Sequence, residues 1–131
     1  MTHRFFADAL RALVGDGPGS MLVTATAEGA RIPDTGAFLI VTPTWGGVNN
    51  ILVLPPPVPG RIVIIAGAAT GGELRTSNPA TIGINGGVGV DAESAISANM
   101  MVIAICESAT NWKGFTLAAV GTPAALQVAA P

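Results

Sequence analysis

From Ser20 onward the chain is cut into short β-branched and apolar segments by glycine, proline and asparagine, and this punctuation limits the fold more than any other feature. The clearest segments are Met21 to Ala27, Ala37 to Thr42, Asn50 to Leu54, Arg61 to Ala66, Met100 to Cys106 and Phe115 to Val120. Their spacing predicts about seven or eight strands of a mainly β fold, an antiparallel β-sandwich or barrel of jelly-roll-like character. Thr81-Ile82-Gly83-Ile84, then Asn85-Gly86, then Gly87-Val88-Gly89-Val90 reads as strand, two-residue turn and strand. Asn-Gly favours a type I′ turn because both positions accept positive φ cheaply. Pro55-Pro56-Pro57-Val58-Pro59-Gly60 lacks ladder donors and reads as a stiff surface connection or a docking ligand for an aromatic groove. No repeat of fixed period is visible.

The first residues follow another rule. Thr2 can cap a short helix in which Phe6, Leu10 and Leu13, with Phe5 and Ala9 beside them, recur at helical spacing, and Gly15 stops it. A helix of that length is marginal alone in water, so its Phe-Leu face must dock on its own β domain or on a neighbouring chain. Gly15-Asp16-Gly17-Pro18-Gly19 is a joint. The expected organisation is therefore an arm with its Gly-rich joint over 1–19 and a β domain over 20–131.

With 131 residues, one core is expected. Charged residues form 11 % of the chain, against roughly 25 % in an ordinary soluble domain. The hydrophobic set reaches 50 % and mean hydropathy is +0.58. So few charges cannot cover a whole monomer surface, which implies that other chains cover part of it. A net charge of −2 leaves no electrostatic footprint for nucleic acid. The longest apolar runs, Ile62 to Ala66 and Asn99 to Cys106, fall far below the roughly 18 residues of a spanning helix, so no membrane partner is expected. Asp8 interrupts what would otherwise be a signal-like apolar stretch, which points to assembly in the cytoplasm.

No catalytic set emerges. His3 is the single histidine, and Asp8, Asp16, Glu28, Asp34, Glu73 and Glu107 are dispersed, with only Asp91 and Glu93 close together. That pair reads as a solvated turn rather than a calcium contact or an acid pair. Gly87 to Ala92 fits the loose glycine fingerprint of dinucleotide sites, but the hairpin accounts for the same residues and no βαβ unit surrounds them. Cys106, the single cysteine, reads as a small core hydrophobe. No enzyme activity, cofactor or metal is expected. Trp45 and Trp112 read as core or interface anchors, with ligand stacking as the alternative. Arg61 and Arg75 are either intersubunit ion-pair partners or solvated strand-edge charges.

The stretch from Leu54-Pro55 through Gly60-Arg61-Ile62-Val63-Ile64-Ile65, then Thr81-Ile82-Gly83, then Asn111-Trp112-Lys113-Gly114 resembles a β module of tailed-bacteriophage virion proteins, most like a head-decoration (cement) protein. Leu54, Pro55, Gly60, Ile82, Gly83 and Trp112 match, while the 55–59 loop is richer in proline than the pattern. The resemblance implies a virion structural protein, a homotrimer on the phage head surface, bound to the major capsid protein and stabilising the shell. Phe5, Phe6, Leu10, Leu13, Trp45, Pro55, Pro56, Pro57, Arg61 and Trp112 are the interface candidates. The alternatives are a tail-fibre or baseplate component and a small β-sandwich module that binds sugar or peptide.

Overall fold

The structure, a computed structural model, describes residues 20–118, 122–126 and 128–129. Twelve strands are present among them: β1 (Met21–Thr24), β2 (Ala30–Arg31), β3 (Phe38–Thr44), β4 (Ile51–Val53), β5 (Ile62–Ile65), β6 (Gly72–Arg75), β7 (Gly83–Ile84), β8 (Glu93–Ile96), β9 (Met101–Ser108), β10 (Asn111–Leu117), β11 (Pro123–Ala125) and β12 (Val128–Ala129). They form two sheets. The first has the order β1-β3-β5-β9-β10-β11, with β7 also on β10, and the second the order β12-β8-β6-β4-β2.

The all-β expectation holds, but the antiparallel part of it does not. β1 pairs parallel with β3 and β3 with β5, while β2 pairs parallel with β4 and β4 with β6. The chain alternates between sheets over β1 to β6, so each strand returns beside its predecessor in the same direction and the strands stack as three rungs. From β8 onward the pairings turn antiparallel, β5 with β9, β9 with β10, β10 with β11, β6 with β8 and β8 with β12, except that β10 also pairs parallel with β7. The sheets are mixed and do not close into a barrel. Alternating apolar residues fix which face of a strand is buried but carry nothing about its direction, which the connections set. The rungs are also unequal. In the first sheet Met21 lies opposite Val41 and Phe38 opposite Ile62, steps of 20 and 24 residues, whereas both steps of the second sheet, Ala30 to Leu52 and Ile51 to Glu73, are 22 residues. The helix expected over the first residues and the joint at 15–19 fall outside the described residues.

Inward residues of both sheets make the core. Leu39 and Val41 of β3, Val63 and Ile65 of β5, Val102, Ala104 and Cys106 of β9 and Trp112 of β10 meet Leu52 of β4, Leu74 of β6 and Ile96 of β8. Each buried aliphatic side chain contributes about 1.5–3 kcal/mol. Two-residue strands such as β2 and β7 make few ladder bonds, so burial of the faces they complete holds them in place.

The Asn85-Gly86 turn forms as expected. Both residues have positive φ, 53° and 83°, and Gly87 N–H donates to the Ile84 carbonyl at 3.0 Å. The strand expected after it does not form. β7 pairs instead with β10, Gly83 opposite Asn111 and Ile84 opposite Trp112. The Asn85 side chain extends that ladder: its Nδ2 donates to the carbonyls of Gly114 and Leu126, and its Oδ1 accepts from Gly114 N–H at 3.0 Å. Asn85→Ala is expected to cost about 2–3 kcal/mol, from three lost bonds that each contribute about 1 kcal/mol. Asn85→Gly keeps the turn but not the bonds and is expected to cost nearly as much. Urea titrations with unchanged slope check both; a cost for Ala alone would mean that φ, not bonding, sets the requirement.

Candidate functional site

The groups that carry chemistry are scattered by the fold. Among the described residues no group of three or more His, Cys, Asp or Glu lies close enough to hold a metal ion. Asp91 and Glu93 part company: Asp91 is exposed in a turn, whereas Glu93 on β8 is ion-paired with Arg75 on β6. Arg61 is buried and donates to the Pro56 carbonyl at 2.8 Å while its other terminal nitrogen meets Asp34 at 2.5 Å. That contact fastens the proline-rich connection to the loop before β3. Burial pushes the Cys106 thiol upward, and its Sγ donates to the Ser108 carbonyl at 3.1 Å. Its thiolate is disfavoured only in the folded chain, so whatever stability this contributes is present at neutral pH and is lost as pH rises through the raised value. Native Cys106 is expected to resist alkylation at neutral pH and to label fully in denaturant. Fast native labelling would contradict the burial.

The cavities offer little for a small ligand. One, of about 10 Å³, lies among Thr76, Ile82, Ile84, Gly87, Ala92 and Glu93 and has room for one water at most. A recess of about 300 Å³ opens between β8 and β10, lined by Ala95, Ser97, Met100, Thr116, Ala124 and Leu126, and none of these side chains titrates.

The interface candidates separate. Trp45, Trp112, Pro55 and Arg61 are buried within the chain, so the surface they would offer a partner is already used. Trp45 and Trp112 present no stacking platform. Pro56 is exposed and Pro57 half-buried, with Val58 exposed beside them. Phe5, Phe6, Leu10 and Leu13 lie outside the described residues.

What the fold assembles instead is a face. Outward positions of the first sheet form registered rows: Phe38, Ile62 and Ile105 in one, and Ile40, Ile64, Ile103 and Phe115 in the next. Met101 opposite Leu117 adds a third. Ile40, Ile105 and Phe115 are 38 %, 36 % and 40 % exposed, and the others of these rows are half-buried against one another. No charged side chain occupies β3 or β5, but on β10 Lys113 lies opposite Ile105 and ends the first row, and on β9 Glu107 stands just beyond it, their charged atoms 4.0 Å apart. The outward side of the second sheet differs: it carries Arg31, Glu73, Arg75 and Glu93. One side of the molecule therefore suits water and the other does not. Strands apolar on both faces are the signature of sheets covered on both sides. That signature is legible in Ile62-Val63-Ile64-Ile65 and in Met101 to Ile105, where no polar residue alternates with the apolar ones.

No protein-family model matches the chain, and neither a curated protein nor a solved structure matches it.

Proposed function

We propose that this chain is a virion structural protein, a capsid decoration or cement protein that binds the outer surface of a phage head and stabilises the shell through subunit interfaces. The observation that carries this reading is the charge-poor outward face of the first sheet, where Glu107 and Lys113 are the only charged side chains on β3, β5, β9 and β10, an apolar surface that a free monomer would leave in water. The residues of the phage-module resemblance supply the virion context. Leu54 and Pro55 are buried, Gly60 takes a φ of 91°, and Gly83 pairs into the ladder beside Trp112. On this reading the protein is a homotrimer, assembles in the host cytoplasm, ends on the head surface and has the major capsid protein as its second partner. It needs no cofactor and does no chemistry.

The test is a comparison of heads assembled with and without the protein. Heads that carry it are expected to co-sediment with it and to release DNA at higher temperature than heads that lack it. Equal heat resistance, with the protein left in the supernatant, sinks the proposal.

A further inference from the structure

We infer that the outward face of the first sheet is a self-association surface: copies of this chain pack against one another through it, with the Ile64 and Ile103 row at the centre of the contact. The inference deepens the assembly reading above and rests on it, but it names the partner at this face as a second copy rather than the shell.

Charge favours that occupant, and area sets how weakly it is held. Four strands at about 4.8 Å and five residues at about 3.4 Å give a face roughly 19 Å by 17 Å. Two such faces brought together withdraw on the order of 650 Å² from water, below the roughly 1,200 Å² of a stable specific interface, so the contact is a weak one that depends on concentration. The face is self-compatible in sign. Glu107 and Lys113, 4.0 Å apart at one end of the Ile105 row, are of opposite sign, so a two-fold arrangement can set each against the other's counterpart, while the Ile64 and Ile103 row carries no charge. The whole chain carries only −2, so copies repel one another weakly. The outward side of the second sheet, with Arg31, Glu73, Arg75 and Glu93, holds the charge that suits water or a polar shell.

The experiment uses the full chain and reads native mass by light scattering at several concentrations, for the protein and for Ile103→Glu, Ile103→Lys and Val90→Glu. Residue 103 points outward, so its substitution leaves the core intact, and circular dichroism verifies the fold. Val90, 78 % exposed and outside this face, is the control. The protein and the Val90→Glu variant are expected at two or three times 13.0 kDa, and each residue-103 variant at one chain's mass. Mixing Ile103→Glu with Ile103→Lys is expected to restore the larger mass, because opposite charges then meet across the contact. An oligomer that persists in both residue-103 variants overturns the inference while leaving the assembly reading standing. A monomer of the unaltered protein at every concentration overturns the inference as well, and binding to heads then decides the assembly reading separately.

Discussion

Gly72→Ala is expected to lower stability by about 3 kcal/mol or more, a large share of the roughly 5–15 kcal/mol that holds a domain of this kind together. A Cβ on residue 72 would lie 2.1 Å from Trp45 Cε3 and 2.6 Å from Cδ2, far inside contact distance. Neither side can yield easily. Trp45 is buried, and Asn50 Nδ2 holds its carbonyl at 2.7 Å, while the backbone beyond residue 72 is tied by Glu73 N–H donating to the Asn50 carbonyl at 2.9 Å. Gly71→Ala should be as severe, since its Cβ would stand 2.1 Å from the backbone carbonyl oxygen of Ile96. The two can be told apart by a second change. Trp45→Leu removes the ring and should make Gly72→Ala cheaper than the sum of the single costs, but it should leave the cost of Gly71→Ala unchanged. Denaturant midpoints measure all of these, and a Gly72→Ala midpoint equal to that of the unaltered chain would refute the packing account.

The second large effect is at Trp112. Its side chain is fully buried between the sheets near the start of β10, opposite Cys106 on one side and Ile84 on the other. Trp112→Ala is expected to cost about 3–5 kcal/mol through lost burial and the cavity left behind. Trp112→Phe should cost less than half of that. The indole Nε1 is buried with no hydrogen-bond partner among the described residues, and an unsatisfied donor costs about 1–3 kcal/mol, which Phe removes along with the ring it loses. If Phe proves as costly as Ala, the indole nitrogen contributes favourably and the donor is satisfied in solution.

Several elements were legible in the residues. The segments around Met21, Phe38, Ile51, Ile62, Met101 and Phe115 became strands, because β-branched runs bounded by Gly and Pro have few alternatives. Asn85-Gly86 made its turn, because positive φ at two consecutive positions suits that pair. β6 and β8 were not legible: Gly72-Glu73-Leu74-Arg75 and Glu93-Ser94-Ala95-Ile96 are short and charged, the first of them opening on a glycine, and only their neighbours make them strands. The candidate surface followed the same division. The tryptophans and Arg61 drew notice as rare or charged residues, yet they were absorbed by the interior and by the Asp34 contact. Ile40, Ile64, Ile103 and Phe115 looked like ordinary core residues, since an apolar side chain does not say which side of a sheet it faces.

The sequence by itself determined a charge-poor, all-β chain with more apolar surface than one small core can hide, because composition and local backbone preference are properties of residues and their near neighbours. Tertiary structure alone decided that the strands run partly parallel in two mixed sheets, that Gly71 and Gly72 lie too close to their neighbours for a side chain, and that the outward apolar residues of β3, β5, β9 and β10 line up in rows on one face. Strand direction and register depend on which distant segments meet. A shift of one residue in β5 would have turned Ile64 inward and sent Val63 out to that face, and a shift in β9 would have done the same with Ile103 and Val102.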